Sequence, residues 1–202
     1  CRKNMDSLII VEGGQGSSEY GFAVKPNTNE TYISMLLAGD ATNEIMITIV
    51  YARIKKDWKI NILKGGHYSI QGKTANDYYT EAQQLYNSGD IIDAINTLGT
   101  ANSCLSPSKG LFMYKNEGAI REFTEKVGKE ANEKYPLPYI LGTVKTKPQI
   151  FSIHYQLAQE GMVPVVMYQT TINLKDTTSL KKENEEVQKA VGAVYTGMTR
   201  NN

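Results

Sequence analysis

Four side chains in the last third of the chain carry groups that could hold a polar ligand. Tyr139, Tyr155 and Tyr168 bring hydroxyls, and His154 brings an imidazole, the side chain that most often transfers protons in enzymes. His154 lies on a predicted strand, where a polar residue without a catalytic role is also expected. We therefore predict Tyr139, His154, Tyr155 and Tyr168 as ligand-binding residues and assign no catalytic residue.

The residue spacing gives little support to a metal or phosphate site. A zinc site needs three or four ligands, and the chain has two cysteines, two histidines and no C-x-x-C motif. Residues 66–74 resemble a phosphate-binding P-loop, but five residues rather than four separate Gly66 from Gly72. We predict no metal and no cofactor.

Two pairs of carboxylates lie at helical spacing. Asp77 and Glu81 are four residues apart, and Asp90 and Asp93 are three apart. At these spacings each pair shares a helix face. We expect them on helix surfaces, where they serve solubility and capping.

The charge balance and the composition exclude several classes of protein. Lys and Arg number 22 and Asp and Glu number 21, which gives a net charge of +1. Proteins that bind nucleic acid by neutralising phosphates carry a clear basic excess, so we predict no nucleic-acid partner. No apolar run approaches the roughly 18–20 residues that cross a bilayer. Two cysteines are too few for a disulfide framework, and we expect Cys104 to be a small buried side chain near a helix end.

The first seventy residues show the period-2 alternation of antiparallel strands. In residues 44–54 both faces are largely apolar, which predicts a central strand covered on two sides. Trp58, Ile60 and Ile62 alternate with polar residues, as in a half-buried strand. His67 is predicted to lie in a glycine-rich connection that follows this strand.

From Lys73 onward the apolar period changes to that of helices, and in the last third it returns to that of strands. Gly89 can end one helix in a left-handed conformation and Asp90 can cap the next. The predicted helices are 76–88, 91–103, 117–135 and 176–195. The predicted strands of this part are 111–114, 139–146, 149–158 and 163–174.

The order of these elements resembles that of nuclear-transport-factor-like cone domains, also called cystatin-like. The sequence LYNSGDIIDA at 85–94 resembles the first helix turn of many such domains, and KDWKI at 56–60 resembles the last hairpin of another. The resemblance implies an α+β fold with antiparallel curved sheets, helices packed on one face and a pocket at the wide end. It divides the chain into a strand-rich unit, 1–72, which is part of a second cone-like domain, and a cone-like domain, 73–202. One continuous α+β domain is the alternative.

A weaker resemblance links residues 78–101 to a single tetratricopeptide helix hairpin. Small residues, including Ala82, Ala94 and Ala101, stand where the two helices of such a hairpin approach closely. No second copy follows, and these repeats need neighbours to bury their faces. We interpret the segment as a generic helix hairpin.

The residue at position 1 suggests where the protein works. A chain that begins at Cys1 resembles a mature bacterial cell-envelope lipoprotein, in which that cysteine carries the lipid. This resemblance implies an extracytoplasmic location, with contact to a membrane only through a lipid anchor at Cys1. The alternative is that Cys1 is a fragment boundary.

Taken together, the residues favour a non-catalytic exported protein over an enzyme. The expected partner is a small molecule or a protein, bound through a curved-sheet pocket. One alternative is a small enzyme that uses such a pocket with His154 and the tyrosines. Cone-fold isomerases pair an Asp base with a Tyr donor, but no Asp on the strands is predicted to face inward. The other alternative is an interaction scaffold of the cell envelope that uses the helix hairpin.

Overall fold

The computed structural model describes residues 8–16, 19–40, 42–158, 161–195 and 198, so Cys1 lies outside the described residues. Their fold is α+β, with antiparallel curved sheets and helices packed on one face, as predicted. The contacts divide the chain into two units. One comprises the described residues up to Tyr79 together with Gly99–Glu122, and the other comprises Thr80–Leu98 with the described residues from Phe123 onward. This division interleaves the units along the chain, whereas the sequence analysis divided it once, at residue 72.

The described residues form ten strands and four helices. The strands are β1 (Ile9–Gly13), β2 (Tyr20–Val24), β3 (Thr31–Asp40), β4 (Asn43–Ile54), β5 (Asp57–Ile70), β6 (Lys73–Thr74), β7 (Phe112–Tyr114), β8 (Tyr139–Ile140), β9 (Gln149–Ala158) and β10 (Gly161–Gln169). The helices are α1 (Ala75–Asn87), α2 (Ile91–Leu105), α3 (Glu117–Lys134) and α4 (Thr177–Val194).

The first unit contains two antiparallel sheets, in the orders β1-β2-β7 and β3-β4-β5-β6. A single buried cluster joins strand residues such as Phe22, Val50 and Phe112 to the helical residues Leu105 and Ile120. Cys104 belongs to this cluster and is fully buried, which confirms the prediction from the sequence. Burial of these apolar side chains is the main force that holds helix ends against the sheet.

Only one face of β4 is covered, so the prediction of a strand buried on both sides is wrong. The buried side chains alternate along the strand: Met46, Thr48, Val50 and Ala52. The residues between them point to the opposite face, and Ile45 on that face is 43% exposed. Both faces are apolar in the sequence, and a periodicity argument could not tell which of them the helices cover.

Strand β5 is longer than predicted and includes His67, which pairs with Ile45. The glycine-rich segment belongs to the strand, and Gly66 is suited to it because the backbone passes close to another segment there. A Cβ atom on Gly66 would lie 2.7 Å from the carbonyl oxygen of Pro107. Glycine inside a strand often marks such a close approach of backbone.

The second unit contains the sheet β10-β9-β8 and the helix α4. The predicted strand 139–146 is only two residues long, because turns follow it: the Val144 N–H donates to the Leu141 carbonyl and the Lys147 N–H to that of Val144. The Asp176 carboxylate accepts a hydrogen bond from the Ser179 N–H at 3.1 Å and caps α4. Among the helices described, none combines the length and the hydropathy that a bilayer-spanning helix needs.

Candidate functional site

A small cleft opens inside the second unit, between helices α2 and α3 and strand β9. Its volume is about 180 Å³. The side chains that line it are mainly apolar: Ile92, Ile95, Asn96, Gly128, Ala131, Asn132, Tyr135, Leu137, Ile153 and Tyr195. A mainly apolar concave surface with a few polar groups is the usual character of a small-molecule site.

Helical spacing places two rows of these residues along the cleft. Ile92 and Ile95 lie three residues apart on α2, and Gly128, Ala131 and Tyr135 follow one another at intervals of three and four from α3 into the residue after it. Gly128 lies in the wall of the cleft. A Cβ atom there would make an ordinary contact of 3.5 Å with the Ile95 Cδ1 atom. The space at this position therefore belongs to the cleft and is not required by packing.

Tyr195 closes the cleft and is fully buried. The residue follows α4, where its N–H donates to the Val191 carbonyl at 2.9 Å. Its ring centroid lies 4.9 Å from that of Tyr135 and 6.1 Å from that of Tyr139. These contacts hold the Tyr195 ring in place. Of the three tyrosines, all of them described, Tyr195 alone is completely removed from solvent.

The Tyr195 hydroxyl has unused hydrogen-bonding capacity. It is buried and forms no hydrogen bond with any described residue. Burial raises the pKa of Tyr195 to about 12, with a smaller contribution from the neighbouring Tyr139 and Tyr135. The group is therefore a neutral phenol at physiological pH, able to donate or accept one hydrogen bond. A buried polar group without a partner is costly and calls for an explanation.

A larger and more open groove, of about 690 Å³, lies near the α1–α2 turn, where Gly89 has the positive φ of 87° predicted for it. Two of its polar groups already bind each other. The Tyr86 hydroxyl donates to Glu130 Oε2 at 2.8 Å, and Lys126 Nζ lies 4.9 Å from the centre of the Tyr86 ring. A ligand would have to displace these interactions, so the apolar cleft is the stronger candidate site.

The four residues predicted from the sequence do not form one group. Tyr139 and Tyr168 both pair with Ile150, from opposite sides, and so share a face of the β8-β9-β10 sheet. Tyr155 and His154 are neighbours in a regular part of β9 and point to opposite faces. None of the four lines the cleft, although Tyr139 contacts Tyr195.

Asp93 is a buried carboxylate, which corrects the prediction that it lies on a helix surface. It is 6% exposed, and the Tyr155 hydroxyl donates to its Oδ1 atom at 2.5 Å. A phenol hydrogen bond offsets part of the cost of removing a carboxylate from water. The pair fastens β9 to α2 beside the cleft wall, which is formed by Ile153 on the same face of β9.

The sequence analysis missed the residues that define the cleft, above all Tyr135 and Tyr195. A signal was present, since each stands at the last position of a predicted helix, 117–135 and 176–195. Nothing in the sequence, however, says that these two helix ends meet. Within the described ranges, no group of three or more His, Cys, Asp or Glu side chains could hold a metal ion.

No protein-family model, no curated protein and no solved structure matches the chain.

Proposed function

We propose that the protein binds a small, uncharged molecule in the cleft of the second unit and performs no reaction on it. The observation that carries the proposal is the buried Tyr195 hydroxyl, which has no hydrogen-bond partner among the described residues and belongs to a residue of the mainly apolar wall. A ligand with one hydroxyl or carbonyl group would supply that partner. Its remaining atoms would contact Ile92, Ile95 and Ile153.

The size of the cleft limits the ligand to about one ring. A cavity of roughly 150 Å³ lined by apolar side chains is large enough for benzene, and this cleft measures about 180 Å³. A charged ligand is disfavoured because removing a charge from water is costly unless an opposite charge compensates it. The described lining residues include no acidic or basic side chain that could do so.

The composition of the lining also favours binding over catalysis. It contains no histidine, cysteine, lysine or carboxylate among the described residues, so no group that titrates near neutral pH faces the ligand. His154 points away from the face of β9 that carries Ile153. The enzyme alternative with His154 and the tyrosines therefore has no geometric support at the cleft.

The same proposal includes the cone-like domain at residues 73–202. A sheet with helices on one face and a cleft between them supports the cone-like resemblance in outline.

A pair of glycine substitutions on one helix tests the proposal. Gly128→Ala adds a methyl group to the cleft, whereas Gly118→Ala adds one to the same helix where no atom lies within 4 Å. Each should raise helix stability by about 0.5–1 kcal/mol. Phenol serves as the single-ring probe, with its affinity measured by calorimetry and by NMR shifts of the Tyr195 and Ile153 signals.

We expect wild type and Gly118→Ala to bind phenol equally and Gly128→Ala to bind it at least fivefold more weakly. Tyr195→Phe should weaken phenol binding while leaving benzene binding intact, because only phenol can use the hydroxyl. Absence of phenol-induced shifts at Tyr195 and Ile153 in wild type would refute the proposal.

A further inference from the structure

The β3-β4-β5 part of the first sheet leaves an apolar face open to solvent. Strand register places the following residues on this side, which we call the outer face: Tyr32, Leu36, Ile45, Ile47, Ile49, Tyr51, Trp58, Ile60 and Leu63. Six of them, Tyr32, Leu36, Ile45, Trp58, Ile60 and Leu63, are between 43% and 61% exposed. On the opposite side, the β4 residues Met46, Thr48, Val50 and Ala52 are buried, and Met46 and Val50 belong to the core cluster.

The outer face is continuous across the three strands. Leu36 pairs with Ile47, Ile49 pairs with Leu63, and Tyr51 lies between Tyr32 and Ile60. The Tyr32 and Tyr51 ring centroids are 5.9 Å apart. Directly opposite residues of an antiparallel pair share a face, so these side chains form one surface and are not scattered. Large aromatic and aliphatic side chains in such a surface are typical of interface anchors.

We propose that two copies of the chain associate through the outer face, sheet against sheet. The area is sufficient: the six most exposed side chains leave on the order of 600 Å² open, the upper end of what a monomer usually shows. Two such faces together bury about 1,200 Å², the lower bound of a standard interface. Two sheets packed face to face make an ordinary core about 10 Å thick.

The charges at the two ends of the face nearly balance, so neither end repels a second copy. The end at the β4–β5 turn carries Arg53, Lys55 and Lys56 against Glu30 and Asp57, and Arg53 pairs with Glu30 at 2.6 Å. The end at the β3–β4 turn carries Asp40 and Lys73, one charge of each sign. A two-fold axis that lies in the plane of the face and runs across the strands places each end of one copy beside the opposite end of the other.

Sedimentation equilibrium of the full chain over a wide concentration range tests the association. Wild type should be a dimer that dissociates on dilution. Leu63→Glu should raise the dissociation constant more than 100-fold, because the two-fold axis makes each substitution count twice. Leu174→Glu is the matched control on the second unit, where Leu174 is 79% exposed, and it should dimerise like wild type.

A milder variant guards against misfolding. Ile60→Thr combined with Leu63→Thr places a β-branched side chain, which strands favour, at both positions. The double variant should raise the dissociation constant at least tenfold with an unchanged circular dichroism spectrum. Leu63 lies two strands from the free edge of β3. If the copies instead paired through that edge, neither variant would change the dissociation constant. A wild type that stays monomeric at every concentration, or face variants that dimerise as tightly as wild type, would overturn the proposal.

Discussion

The rings of Tyr135 and Tyr195 meet with centroids 4.9 Å apart and planes inclined at 54°. Tyr135 follows α3 and Tyr195 follows α4, so the contact joins the ends of two helices. Offset, tilted aromatic pairs of this kind stabilise beyond their buried area, by about 0.5–1.5 kcal/mol. The pair fixes the Tyr195 hydroxyl at the wall of the cleft, where it finds no partner among the described residues.

Removing that hydroxyl should stabilise the protein in the absence of a ligand. Tyr195→Phe keeps the ring contacts and removes a polar atom whose burial is not offset by a hydrogen bond. We expect the free energy of unfolding to rise by about 1 kcal/mol, as measured by urea unfolding monitored by circular dichroism. A decrease of similar size would mean that the hydroxyl has a partner in the native protein and that the cleft lacks the free polar group assigned to it.

The same chemical change at Tyr155 should have the opposite sign. Its hydroxyl donates to the buried Asp93 carboxylate, so Tyr155→Phe removes a charge-assisted hydrogen bond. We expect a loss of about 1–3 kcal/mol in the free energy of unfolding. A double-mutant cycle with Asp93→Asn separates the pair from its surroundings. Additive effects in that cycle would show that the two side chains do not interact.

Alkaline pH should reveal the burial of Tyr195. In the unfolded chain a tyrosine titrates near pH 10, while burial raises the pKa of Tyr195 to about 12 in the folded protein. Between these values the unfolded state has already lost its proton, so stability falls as the pH rises and the loss is complete above the folded pKa. Below about pH 10 both states are protonated and Tyr195 contributes no pH dependence.

Comparison with Tyr195→Phe isolates this effect, because other buried groups, including Cys104 with a pKa raised to about 11 by burial, remain in both proteins. The stability difference between variant and wild type should grow from pH 9 to pH 12, an interval of about three units around these pKa values. Urea unfolding at a series of pH values measures it. If the unfolding free energies of the two proteins ran parallel with pH, Tyr195 would have the same pKa in the folded and the unfolded chain.

The sequence predicted local structure well and tertiary partners poorly. Strand β9 has the predicted bounds, and Gly89 separates α1 from α2 as predicted, because periodicity and turn chemistry act over a few residues. Asp93 and Tyr155 are 62 residues apart in the chain, and no local pattern announces their contact. The cleft depends on the same kind of information, since Tyr135 and Tyr195 come together only when α3 and α4 are in place.

The outer face illustrates a different limit. An apolar pattern on both sides of β4 predicts burial on both sides, but among the described residues of the first unit only one side of β4 packs in the core with helical residues. The second apolar face of β4 is therefore a surface feature and not part of the core. An exposed apolar surface of this size usually marks an interaction. In this sense the incorrect prediction for β4 identified the face on which the dimer proposal rests.

Gly66 should be indispensable for packing in the first unit, although its neighbour Gly65 is not. A Cβ atom at Gly66 would lie 2.7 Å from the Pro107 carbonyl oxygen and 3.1 Å from the Pro107 Cα, so backbone would have to move. At Gly65 the nearest atom, the Met46 carbonyl oxygen, would be 3.8 Å away. Gly66→Ala should therefore lower the free energy of unfolding by about 1–3 kcal/mol, as overpacking usually does.

Gly65→Ala should be neutral or stabilising by up to about 1 kcal/mol, since alanine restricts the unfolded chain more than glycine does. Both substitutions lie in β5 and change the chain by one methyl group, so propensity and composition are matched. Urea unfolding of the two variants beside wild type measures the difference. Equal effects at both positions would show that the backbone around Pro107 can move without a loss of stability. The close approach would then not explain why β5 contains glycine at position 66.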